Sequence, residues 1–163
     1  MHAKDAIRGT LDMGEHILNS YVGDLDDADL TTPPAEGLNP IAWQLGHLIS
    51  SERSMVEQVR PNSCPALPEG FDATHSREAA VPGASHHFLP KAEYLRLFQA
   101  QRTATKAAIE ALSDADLDAP SPERYQKMAP TVGAVLGLVG NHVLMHVGQF
   151  VPARRKGNKP VVI

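Results

Sequence analysis

From residue 128 to residue 153 the chain carries no Asp, Glu, Lys or Arg. A run of that length must leave water, either across a bilayer or through the middle of a protein core. Its composition decides between the two. Asn141, His142, His146 and Gln149 interrupt it, glycines stand at 133, 137, 140 and 148, and Pro152 lies near its end. Two imidazoles and two amides make a costly lipid span. The run therefore reads as a core helix with no membrane partner.

A helix without charge on any face needs other helices around it, and three further segments supply them. Ile7, Leu11, Leu18, Tyr21, Val22 and Leu25 recur at helical spacing and predict a first helix over about 3–23. Ile41, Leu45, Leu48, Glu52, Met55 and Val59 predict a second over about 40–59, with Pro40 in its first turn. Tyr94, Leu95, Phe98, Ala108, Ile109 and Leu112 predict a third over about 90–112. Val132, Val135, Leu136, Val139, Val143, Val147 and Phe150 place the uncharged run in a fourth, over about 131–150, which Pro152 is expected to end. No segment alternates as a strand does. The fold class is all-α, a four-helix bundle in a single domain spanning 1–163.

The connections are uneven. Residues 60–89, with Pro61, Pro65, Pro68, Pro82, Gly70 and Gly83, form a long Pro-rich crossover between the second and third helices. Connections of that length inside compact domains are often functional. A weak repeat relates Leu25-Asp26-Asp27-Ala28-Asp29-Leu30, followed by Pro33 and Glu36, to Leu112-Ser113-Asp114-Ala115-Asp116-Leu117, followed by Pro120 and Glu123. Each copy closes a long helix and leads to a proline, Pro40 or Pro130, that opens the next.

Composition excludes several functions. The formal charge is −4 and aromatic residues are 5 %, which gives neither a basic footprint nor a stacking ladder for nucleic acid. One cysteine, Cys64, excludes an intrachain disulfide and any Cys-based zinc finger. The first residues hold no signal-type apolar run, so the cytoplasm is the expected location. No Glu-x-x-His, GxGxxG or Walker pattern occurs.

Eight histidines in 163 residues are the unusual count. His142 and His146 lie one helical turn apart in the apolar stripe and should both point into the bundle. A buried imidazole needs partners for both nitrogens. Hydrogen bonds within the core are one solution, and a shared metal ion is the other. His47, at the flank of the second helix's stripe, reads either as a boundary histidine or as a third ligand. Three imidazoles without carboxylate or thiolate form an open site, and three protein ligands plus water is the catalytic zinc pattern. Imidazole suits zinc, nickel, copper and iron alike. The ion keeps its full charge and favours an incoming anion.

The motifs Asn39-Pro40-Ile41-Ala42-Trp43-Gln44-Leu45-Gly46-His47-Leu48 and Asn141-His142-Val143-Leu144-Met145-His146-Val147-Gly148-Gln149 resemble those of the DinB/YfiT-like superfamily of metal-dependent enzymes. The tail Arg154-Arg155-Lys156-Gly157-Asn158-Lys159-Pro160 resembles that family's basic tail. The resemblance spans nearly the whole chain. It implies a four-helix bundle, a divalent metal (zinc or nickel first, iron as a further option) on His47, His142 and His146, and a homodimer. Relatives include bacillithiol S-transferases and mycothiol-dependent maleylpyruvate isomerase, both using a low-molecular-weight thiol as cosubstrate.

The expected function is thus a metal-dependent, S-transferase-like enzyme acting on a small molecule. A metal-hydroxide hydrolase and a non-enzymatic metal or small-molecule binding module are the alternatives. Glu52 is expected as a salt-bridged residue or as an acceptor for an imidazole N–H. Gln149 reads as a helix cap or a substrate contact, Trp43 as a packing anchor, and His86 and His87 as solvated or reaching the site mouth. Arg154, Arg155 and Lys156 fit a helix C-terminus or an anionic cosubstrate. Gly133, Gly137 and Gly140 read as close helix packing.

Overall fold

The computed structural model describes residues 2–35, 37–80 and 87–162. Glu36 of the repeat, and Pro82, Gly83 and His86 of the crossover, lie outside the described residues. In chain order the helices are α1 (Ala3–Val22), α2 (Asp27–Thr31), α3 (Ile41–Val59), α4 (Phe71–Thr74), α5 (Lys91–Glu110), α6 (Asp114–Asp118), a 3-10 turn (Glu123–Tyr125), α7 (Val132–Gly148) and α8 (Val151–Lys156). Among the described residues there is no β-strand, only an isolated bridge between Pro120 and Thr131. The architecture is all-α, as the periodicity predicts.

The four long helices form a ring. α7 packs against α1 and α3, α5 packs on α3, and α5 closes on α1. The apolar stripes meet inside. One layer of core gathers Leu18, Ile41, Leu45, Tyr94, Phe98, Val143 and Phe150. The other gathers Ile7, Leu11, Met55, Ile109, Leu136 and Val139. The stretch Val132–Lys156 is long and apolar enough to cross a membrane by length and composition, yet its Val135, Leu136, Val139, Val143 and Val147 are buried against these neighbours.

α1 and α7 approach closely because both have glycine at the crossing. A Cβ on Gly140 would lie 2.7 Å from the Thr10 carbonyl carbon, and one on Gly14 would lie 3.2 Å from the Gly140 oxygen. Gly133 meets Leu117 in the same way, but a Cβ on Gly137 would meet nothing within 4 Å. Close packing therefore explains two of the three α7 glycines named above and not Gly137.

The two acidic turns fold alike. Asp26 caps α2 by accepting from the Asp29 N–H, and Ser113 caps α6 by accepting from the Asp116 N–H. In each, the third residue's carboxylate returns a bond to the cap N–H. Leu30 and Leu117 pin the two short helices to the core.

Pro152 does not end the fourth helix. α7 stops at Gly148, and Pro152 sits in the first turn of α8, where an absent N–H costs nothing. Arg154, Arg155 and Lys156 stand in the last turn of α8, the helix C-terminus expected, and Arg154 does more. It is 1 % exposed, pairs with Asp24 at 2.6 Å and donates to the Tyr21 and Pro160 carbonyls. This holds the tail on the end of α1, and the guanidinium lowers the Asp24 carboxyl's pKa.

Candidate metal centre

α3 and α7 face each other, and their histidines meet between them. The ligand atoms of His47, His142 and His146 all lie within 4.8 Å of one another. The rings of His142 and His146 stand perpendicular at 4.7 Å, and His47 lies 5.4 and 5.2 Å from them. Nitrogens on one tetrahedral, zinc-sized ion would sit about 3.4 Å apart, so the three rings would draw closer to share one. His146 is buried, while His47 and His142 are half-buried.

Hydrogen bonds fix which nitrogen is free. The Nδ1 of His146 lies 3.1 Å from Oε1 of Gln44, whose Nε2 donates to the Asn39 carbonyl. The amide oxygen can only accept, so His146 carries its proton on Nδ1 and keeps a lone pair on Nε2. The Nδ1 of His47 lies 3.4 Å from the His75 carbonyl, which assigns the same tautomer. Its Nε2 receives a long bond, 3.4 Å, from the Ser51 hydroxyl. Holding one nitrogen to orient the other is what outer partners of metal-bound histidines do.

The rings stay neutral. Burial lowers the His146 pKa to about 3, with help from His142, His47 and Arg77. Burial, His47 and Arg77 lower that of His142 to about 4. Burial also lowers His47, against the hydrogen bond to His75. Three neutral imidazoles, each with a ring nitrogen within 4.8 Å of the others, are a donor set that suits a divalent ion, so the residues fit such an ion.

His75 belongs to the crossover, where no spacing or motif marks it. α4 delivers it. Its ring is 2 % exposed, with Nδ1 2.8 Å from the Phe71 carbonyl and Nε2 2.8 Å from the Tyr94 hydroxyl. Burial pushes the Tyr94 hydroxyl up to about 12, so it stays protonated and donates. The ring lies on Gly46, where any Cβ would overlap it. Trp43, 5 % exposed, is the packing anchor expected and also stacks on His47 at 4.9 Å and 7°.

Glu52 does not reach the histidines. Its carboxylate meets Arg102 at 2.9 Å and the Thr105 hydroxyl at 2.7 Å, inside the bundle. Of its two expected roles, the salt bridge is the one found. Gln149 is the C-cap residue of α7, its N–H bonded to the His146 carbonyl. His87 is exposed and is not among the described residues of the cleft lining. Cys64 is half-buried and its thiol is pushed up by burial, away from nucleophilic use.

A cleft of about 980 Å³ opens over His47 and His142. Ser51 and Arg77 are on its wall.

These features define a class: a helical bundle with an open, three-imidazole cluster between two facing helices, compatible with a metal-binding enzyme. The sequence pattern of the DinB superfamily matches residues 10–150, and the chain belongs to that superfamily. The matched segment contains all three histidines and Gln44. No curated protein matches the chain.

Proposed function

We propose that the protein is a divalent-metal-dependent enzyme that joins a low-molecular-weight thiol to an electrophilic small molecule, with His47, His142 and His146 as the metal ligands. The observation that carries this reading is the convergence of three neutral rings, each offering one ligand nitrogen, with those nitrogens within 4.8 Å of one another. A bound divalent ion, uncompensated by any ligand carboxylate, supplies positive charge that favours thiolate over thiol. Gln44 and the His75 carbonyl hold two of the rings in the ligating tautomer. Arg77 adds a further positive charge at the cleft wall. The cleft has room for thiol and electrophile side by side. The bond formed is carbon–sulfur, and the bond broken belongs to the electrophile: an epoxide C–O bond, an aryl C–Cl bond or the π bond of an activated alkene. The thiol proton passes through solvent to the resulting alkoxide or carbanion, or, with the chloroarene, stays in solvent beside the released chloride.

By resemblance to its family, zinc or nickel is the first expectation and iron a further one; three imidazoles suit each of them. By resemblance to its family the protein acts as a homodimer, and its one unpaired cysteine suits the cytoplasm.

The test is a conjugation screen. Protein loaded with zinc or nickel is incubated with a panel of small thiols against an epoxide, a chlorodinitroarene and an activated alkene. Ion-dependent conjugation, lost in His142→Ala, is expected. Loaded protein that conjugates no thiol refutes the transferase reading, and thiol-independent ester cleavage would put a hydrolase in its place.

A further inference from the structure

The lining of the cleft above the histidines is chemically mixed. It includes Met128 and Met145, which are 69 % and 60 % exposed and are the most exposed large apolar side chains among the described residues. Exposed apolar surface in a concave site marks a ligand surface rather than a defect of packing. The lining also includes Arg77, exposed, two residues beyond the buried His75 that anchors this part of the crossover.

The charges in the lining are not equally free. Arg53 donates to the Pro65 carbonyl, and Arg124 lies over the Tyr125 ring. Glu57 spends both oxygens on the Asn62 and Cys64 N–H groups. Glu78 accepts from its own N–H and from Ser76. Asp72 is exposed in the first turn of α4. The Arg77 side chain makes no hydrogen bond or ion pair within 4 Å with a described residue; its carbonyl alone is used, accepting from the Ala80 N–H. Arg77 shares the cleft lining with His47 and His142. Formal charges of the lining cancel, so an ion on three neutral ligands would leave the cleft cationic.

We propose that this cleft takes an amphipathic organic anion, with Arg77 holding the anionic head near the histidines and Met128 and Met145 covering the apolar body. The inference deepens the reading above by naming the substrate class of the same cleft. A guanidinium offers a planar pair of donors to a carboxylate, which a neutral isostere cannot use as well.

Octanoate and its neutral isostere octanamide are the probes. Binding is measured by calorimetry and by the fluorescence of Trp43, the single tryptophan, which stacks on His47. The zinc-loaded protein should bind octanoate at least roughly tenfold tighter than octanamide. Arg77→Gln should reduce that preference several-fold while zinc content stays unchanged. Met128→Ser and Met145→Ser should weaken both probes alike. Equal binding of acid and amide, or a preference untouched by Arg77→Gln, overturns the proposal and leaves the metal reading standing. A chain that takes up no ion overturns the metal reading instead. The same comparison on ion-free protein then decides the Arg77 assignment: an Arg77-dependent preference supports it, and no such preference refutes it.

Discussion

Replacing Gly46 by alanine sets two effects against each other. In an ordinary helix interior the change stabilises by about 1 kcal/mol through helix propensity. Here the new methyl overlaps the His75 ring. The ring is 2 % exposed and held at both nitrogens by 2.8 Å contacts, so it cannot move without giving up those bonds. Two such bonds contribute about 1 kcal/mol each, and forcing a methyl into a filled space costs about 1–3 kcal/mol. Moving the ring relieves part of the overlap, so the terms do not simply add. After the propensity gain, a net loss of about 2 kcal/mol is expected. Displacing His75 also shifts the carbonyl that orients His47, and losing an outer partner of a metal ligand typically costs 10–100-fold in affinity. Urea unfolding of the ion-free protein reads the first effect, and competition against a chromogenic zinc chelator reads the second. Gly137→Ala is the control. It meets nothing within 4 Å and should stabilise slightly with no change in zinc affinity. A Gly46→Ala protein as stable as Gly137→Ala, with wild-type zinc affinity, would refute the role given to His75.

Gln44→Leu should keep the fold but weaken zinc by about 10–100-fold, because His146 loses the acceptor that fixes its tautomer; chelator competition measures it, and unchanged affinity would remove Gln44 from the site. Arg102→Met should cost about 3–5 kcal/mol in urea unfolding by stranding Glu52 inside the bundle, and Glu52→Leu added to it should recover most of the loss. Folded-state pKa values of about 4 for His142 and about 3 for His146 lie below the unfolded value near 6.5. The unfolded chain therefore binds more protons below pH 6.5. Stability should be full above that pH and fall as pH drops toward 4. Imidazole proton shifts of the ion-free protein should show His142 neutral at pH 5.5, whereas a midpoint near 6.5 would contradict its burial.

What the chain discloses in one dimension is what depends on local spacing. The four long helices were legible because Ile7, Leu45, Phe98 and Val139 each belong to a stripe that repeats every turn. Their ends differ from expectation by a residue or two where caps decide, as with Thr131 before α7. His142 and His146 were legible as a pair for the same reason, and His47 through its place beside that stripe. Their partners were not. Gln44 is a single amide in an apolar run, and only the facing helix shows what it bonds. His75 follows a helix of four residues, too short to leave a period, and its importance comes from Gly46, which lies 29 positions earlier. Glu52 has its counterpart, Arg102, on another helix. The ion pair and backbone bonds of Arg154 left no sequence signal, because its acceptors, Asp24 and Tyr21, lie at the opposite end of the chain.

In the proposed function the three histidines hold one divalent ion. Elemental mass spectrometry of untagged protein, purified without added metal or chelator, tests it directly when run beside His47→Ala, His142→Ala and His146→Ala. Close to one zinc, nickel or iron ion per chain, lost in each variant that remains folded, is the predicted result. A metal-free protein that takes up none of these ions on reconstitution, or an ion retained in all three variants, would contradict it.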